Sequence, residues 1–186
     1  MKKLFGVKVL AAAAVCLAGV FLAAADGGEA VWQEDFANFA KWKVSGPETL
    51  TAELDKEFSP GDTCLKYTFK VDNPAEGFSW PQQIRGIPGG VPLDDRNCYM
   101  EFDAFYKPVK GSMTLILSLK EIANLQGVGF RLTPNEWKHV KVRLEGKKPG
   151  VKLVGYAFVI PRRSTKPDSE AVFYIKNLRI VRGEKF

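Results

Sequence analysis

From residue 31 onward, apolar and polar positions alternate in short runs. In Cys64–Val71, Leu65, Tyr67, Phe69 and Val71 fall on one side, and Lys66, Thr68 and Lys70 on the other. That period of two is the mark of a half-buried strand. Cys98–Tyr106 sets Cys98, Met100, Phe102, Ala104 and Tyr106 against Tyr99, Glu101, Asp103 and Phe105. Met113–Leu119, Gly127–Leu132, Trp137–Leu144, Leu153–Ile160 and Val172–Val181 repeat the pattern. Weaker strands are expected at Val31–Phe36, Thr49–Asp55 and Phe78–Arg85. Most prolines, Pro88, Pro92 and Pro108 among them, read as joints between runs, where a missing N–H is tolerated. Only Glu121–Gln126 suits a helical turn. About ten strands with no helices between them predict an antiparallel sandwich or barrel, because parallel pairing needs crossover helices.

The N-terminus follows another rule. Met1-Lys2-Lys3 is basic, Val9–Ala25 is uncharged, and Ala23-Ala24-Ala25 precedes Asp26. Together these are the basic start, apolar core and small-residue cleavage site of a secretory signal peptide. The expected organisation is a signal peptide over 1–25 and one β-sandwich domain over 26–186, with its core near 31–181. Localisation would be secreted or periplasmic, with no membrane attachment after cleavage. The competing reading, a membrane anchor, is weakened by the 17-residue length and by the acidic Asp26-Gly27-Gly28-Glu29 that follows. Lys2, Lys3 and Lys8 leave with the signal, so a net charge of +6 falls to +3. That excess is too mild and too spread to indicate nucleic acid. Cys64 and Cys98 remain. By alternation they lie on opposite rows, which disfavours a disulfide between them. One histidine and no clustered cysteines leave no basis for a zinc site or a serine triad.

Three features carry chemistry. Phe78-Ser79-Trp80-Pro81-Gln82-Gln83-Ile84-Arg85 packs an indole, two amides and a guanidinium into one segment. A flat apolar face with planar polar groups suits a sugar ring. The alternative is a core-capping Trp80 with solvent-facing glutamines. Second, Tyr99, Glu101, Asp103 and Phe105 form an outward row that Arg131 could join. Third, Glu101 and Asp103 share that face about 6.5 Å apart along the chain. Trp42 and Trp137 read as structural.

Several segments together resemble the jelly-roll carbohydrate-binding modules of the galactose-binding-like kind. These are Trp32-Gln33-Glu34-Asp35-Phe36 with Trp42, Cys64–Phe69 after a Pro-Gly-Asp turn, Leu132–Val142 with its turn and tryptophan, and Phe173–Ile180. The resemblance covers about Val31–Val181. It implies an all-β, antiparallel jelly-roll sandwich that binds a glycan without catalysis, with carbohydrate as the main partner. Such modules often hold a structural calcium between an Asp in the closing strand and acids of the opening strand. Here that position is Lys176, whose ammonium disfavours calcium beside Glu34 or Asp35 and would pair with one of them instead. No cofactor is otherwise implied. Glu101-Phe102-Asp103 also resembles the Glu-x-Asp-x-x-Glu strand of retaining β-glucanases, but the third acid is Tyr106 here, so one carboxylate of the pair that retaining hydrolysis needs is missing. The expected site residues are therefore Trp80, Gln82, Gln83 and Arg85, with Tyr99, Asp103 and Arg131 as neighbours. A small glycan-cleaving enzyme built on Glu101 and Asp103, and a scaffold that binds other secreted proteins, remain alternatives.

Overall fold

The computed structural model describes residues 28–36, 39–46, 49–72, 82–93, 98–121, 125–144, 150–161 and 165–183. The signal-like segment, Phe78, Trp80, Pro81 and the Arg162-Arg163 pair lie outside them. Among the described residues no helix is long and apolar enough to cross a membrane.

The described strands are β1 (Glu29–Gln33), β2 (Lys43–Ser45), β3 (Leu50–Asp55), β4 (Cys64–Val71), β5 (Gln82–Pro92), β6 (Cys98–Lys110), β7 (Ile116–Glu121), β8 (Leu125–Gly129), β9 (Trp137–Leu144), β10 (Lys152–Val159) and β11 (Ser169–Arg182). Every pairing between them is antiparallel. One sheet runs β3-β4-β11-β6-β9, with β1 added to β11; the other runs β2-β5-β10-β7-β8. Their inner faces enclose one apolar core. It includes Leu65, Tyr67 and Phe69 from β4, Met100 and Phe102 from β6, Leu117 from β7, Phe158 from β10, and Phe173 and Ile175 from β11. The chain is thus an all-β, jelly-roll-type sandwich.

The structure moves several expected elements. Glu121 ends β7 and Leu125 and Gln126 begin β8, where Lys120 pairs with Leu125, so both ends of the expected helical turn are strand, and residues 122–124 lie outside the described residues. β2 is a further strand, too short to show a periodicity of its own. Pro88 and Pro108 lie inside strands. Pro88 sits where β5 spends four residues, 87–90, against one residue of β10. There the ladder needs no N–H, and Gly89 and Gly90 take positive φ. A second bulge, in β11, sets Asn177 and Leu178 against one residue of β6, with Asn177 at φ 54°. It turns Asn177 outward beside Lys176 while Leu178 returns to the core.

Cys64 and Cys98 are both buried free thiols. Cys98 belongs to the core between the sheets, and Cys64 lies on the opposite row with Lys66. Desolvation raises the Cys64 thiol pKa above its ordinary value.

Candidate functional site

The outer face of the five-stranded sheet follows from its register. One row runs Lys43–Ile84–Ala157–Ser118 across β2, β5, β10 and β7. The next runs Gly86–Gly155–Lys120 toward one end, and the next Gln82–Val159–Ile116 toward the other. Around Ile84 the floor is therefore small: two glycines, an alanine and a serine. Gly155 must be glycine, because a Cβ there would stand 2.6 Å from the Arg85 carbonyl oxygen. Gly86 has open space at its Cβ position, with the Val154 carbonyl oxygen nearest at 4.0 Å. Val159 is buried at one end, while Lys43, Gly86 and Lys120 are exposed at the other. At that open end lies a cleft of about 470 Å³ lined by Lys41, Trp42, Lys43, Ile84, Arg85, Gly86 and Lys120.

Behind this cleft stands a buried polar knot. Glu34, its side chain fully covered, follows β1 and accepts a bond from Arg85 Nε at 2.9 Å. The Tyr156 hydroxyl donates to the same oxygen at 2.9 Å, and the Phe36 N–H donates to the other at 3.0 Å. Burial and the Glu34 charge hold the Tyr156 hydroxyl well above its ordinary pKa. The Arg85 guanidinium also packs 5.2 Å from the Trp42 ring centre. Arg85 is thus an internal counterion, where its sequence context suggests a sugar contact: β5 alternation turns it inward, opposite Tyr156. Gln83 shares that inner row, opposite Phe158, and is only 3% exposed. Gln82 alone of the described trio faces the outer trough.

Lys176 corrects another expectation. Its ammonium donates to Asp62 and to Ser59 Oγ, both at 2.7 Å, not to Glu34 or Asp35. The Lys176 bond, first among the causes, holds the Asp62 carboxyl below its usual pKa. With a guanidinium on Glu34 and an ammonium in the closing strand, these residues do not fit a calcium ion. Among the described residues no group of three acids, histidines or cysteines could hold a metal.

Tyr99 and Asp103 lie on the other sheet, facing away from the trough. Glu101 is 2% exposed, with Lys141 Nζ at 3.1 Å from one oxygen and Arg179 Nη2 at 3.2 Å from the other. Asp103 meets His139 Nδ1 at 2.9 Å and accepts from Asn177 Nδ2 at 2.7 Å. The two acids are therefore held by separate partners. Next to them Trp137, read as structural from the sequence, is 38% exposed. It packs on Phe105 at 5.5 Å, with the Lys176 ammonium 4.7 Å from its ring centre. Arg131 is exposed at a third place, where Tyr106, Met113, Phe130 and Phe173 help line a cavity of about 180 Å³. The structure thus distributes the expected set over two sheets and one end. The lysines of the cleft carried no local sequence signal, since only the register brings Lys43 and Lys120 to one surface.

This architecture is the jelly-roll sandwich of carbohydrate-binding modules, and three solved structures show the likeness. A family 28 module described as specific for non-crystalline cellulose aligns at TM-score 0.51 and 17% identity, over 85% of this chain and 97% of its own. The CBM22-1 xylan-binding domain of Xyn10C from Paenibacillus barcinonensis aligns at 0.51 and 14%, over 87% and 100%. The family 11 module from Clostridium thermocellum, solved with a β-1,3-1,4-mixed-linked tetrasaccharide, aligns at 0.51 and 14%, over 86% and 98%. No protein-family model and no curated protein matches the sequence.

Proposed function

We propose that this chain is a secreted, non-catalytic glycan-binding protein whose ligand lies along the outer face of the five-stranded sheet. The observation that carries the reading is the open cleft of about 470 Å³ at one end of that face. Its small floor lets a pyranose approach the sheet, and exposed polar side chains stand at its edges. Likeness to modules that bind cellulose, xylan and mixed-linked glucan supports the ligand class. The basic start, uncharged run and Ala23-Ala24-Ala25 support secretion. The engagement of both Glu101 oxygens by cations supports a non-catalytic role. Gln82 borders the trough. Trp80, outside the described residues, enters the proposal from its chemistry alone.

Affinity gel electrophoresis against a polysaccharide panel tests this reading. Gly86→Leu fills the cleft from a position where a Cβ comes no closer than 4.0 Å to its neighbours, so it should abolish retardation while leaving the melting temperature unchanged. Trp80→Ala should weaken retardation by about tenfold or more. Retardation unchanged in both variants would move the site elsewhere. The specific alternative is then Trp137 beside Asp103, His139 and Asn177, an exposed indole flanked by planar polar groups. Trp137→Ala would abolish binding in that case. Release of reducing sugar would revive the enzymatic alternative.

A further inference from the structure

We infer that the cleft between Lys41, Lys43 and Lys120 takes a negatively charged chain, the carboxylated residues of an acidic polysaccharide. The inference rests on the glycan reading above and narrows it to a substrate class. Three observations carry it.

The first is charge balance. The cationic residues that line the cleft are Lys41, Lys43, Lys120 and Arg85, and none of its lining residues is acidic. Arg85 is neutralised by Glu34. The three lysines have no acidic partner among the described residues, so within these residues three positive charges at one opening go uncompensated. On the six-stranded sheet the pattern differs. There Lys66 pairs with Glu53 at 2.7 Å, Lys141 with Glu101 at 3.1 Å and Lys176 with Asp62 at 2.7 Å.

The second is placement. Lys41 comes from the 3-10 turn Phe39–Lys41, Lys43 from the edge strand β2, and Lys120 from β7. The Lys43 and Lys120 columns are separated by three strand spacings, about 14 Å. The ammonium groups therefore flank the small floor, and a chain lying over Ile84 would be reached from both sides. Lysine suits this task, because a rotatable point charge on a long stem follows a carboxylate without demanding one geometry.

The third is what the trough lacks. No aromatic side chain stands among the described residues of its three rows, and Trp42, which lines the cleft, is only 8% exposed and packed against Arg85, so the described floor offers a sugar ring no open aromatic face. On the described floor, charge supplies the hold that stacking does not. Contacts of this kind weaken in salt.

The experiment uses the mature chain in affinity gels containing polygalacturonate, alginate, xylan, mixed-linkage β-glucan or β-1,4-galactan, each at low salt and at about 0.5 M NaCl. A fluorescent double-stranded DNA is titrated in parallel. The test variant is Lys41→Gln/Lys43→Gln/Lys120→Gln. The control, Lys70→Gln/Lys107→Gln/Lys166→Gln, makes the same charge change at exposed lysines elsewhere. We expect the uronate polymers to retard the parent, salt to relieve that retardation, and the test variant to lose about tenfold or more in affinity while the control keeps it. Equal loss in the control would reduce the effect to net charge and overturn the inference. DNA bound as tightly as polygalacturonate would also overturn it. Retardation by neutral glycans only, unaffected by the test variant, would overturn the acidic class and leave the glycan reading intact. Retardation by none of the polymers would overturn both.

Discussion

Arg85 Nε stands 2.9 Å from Glu34 Oε2, tying the segment after β1 to β5 across 51 residues of sequence. Both side chains are largely or wholly covered, at 17% and 0% exposure. A pair of this kind contributes little when intact, but removing one partner strands a buried charge. Arg85→Met should therefore cost about 3–5 kcal/mol in urea unfolding. Adding Glu34→Gln to that variant should recover much of the loss. If Arg85→Met instead leaves stability unchanged and abolishes glycan retention, Arg85 contacts the ligand directly, as its sequence context predicts.

Two glycines in adjoining strands should respond in opposite ways. A Cβ on Gly155 would stand 2.6 Å from a backbone oxygen that cannot move aside, so Gly155→Ala should destabilise by about 1–3 kcal/mol, as overpacking does. Gly86 sits directly opposite it in register and has room. Gly86→Leu should stay within about 0.5 kcal/mol of the parent. Thermal melts of the two variants check the contrast.

Acid should loosen the loop between β3 and β4. Asp55 is held below its ordinary carboxyl pKa, first by the Phe58 N–H, and Asp62 is held low, first by Lys176. A carboxylate depressed in the folded state adds stability above its unfolded pKa, and that stability is lost as pH falls through the folded value. The melting temperature should therefore fall below about pH 4. Asp62→Asn should start lower at neutral pH and fall less steeply in acid. A parallel decline in parent and variant would show that Lys176 contributes nothing through this pair.

The Cys64 thiol should be inert in the native protein. It is fully buried, and burial raises its pKa, while the thiolate is the reactive form. With Ellman's reagent at pH 8, a chain beginning at Asp26 should show no fast-reacting thiol until denaturant is added. Two equivalents should then react, from Cys64 and Cys98. A fast native phase, or no reaction after unfolding, would contradict the buried free thiols.

Much of the fold was legible because alternation survives wherever one side of a strand meets the core. β4 and β9 match the runs Cys64–Val71 and Trp137–Leu144, and β3 differs from its run by one residue. The site was less legible. Gln83 and Arg85 sit on the inner row of β5 while Ile84 sits on the outer one, so polarity alone gives the wrong face. The inner row tolerates Arg85 because Glu34, far away in sequence, neutralises it. Trp137 reads as structural from the sequence, and on β9 it shares the outer face of the six-stranded sheet with His139 and Lys141.

Side-chain alternation along the chain by itself determined that this protein is built of strands, because a period of two needs only neighbouring residues to be expressed, and the lack of helical periods between them pointed to antiparallel pairing. The basic and apolar order of its first 25 residues likewise carries the expectation of export without any contact. Tertiary structure decided which sheet each strand joined, and so which residues meet. It separated Gln82 from Asp103 by placing β5 and β6, consecutive in the chain, in different sheets. It also brought Lys43 and Lys120 to one face. Strand pairing depends on contacts among residues far apart in the chain, and no local pattern contains them.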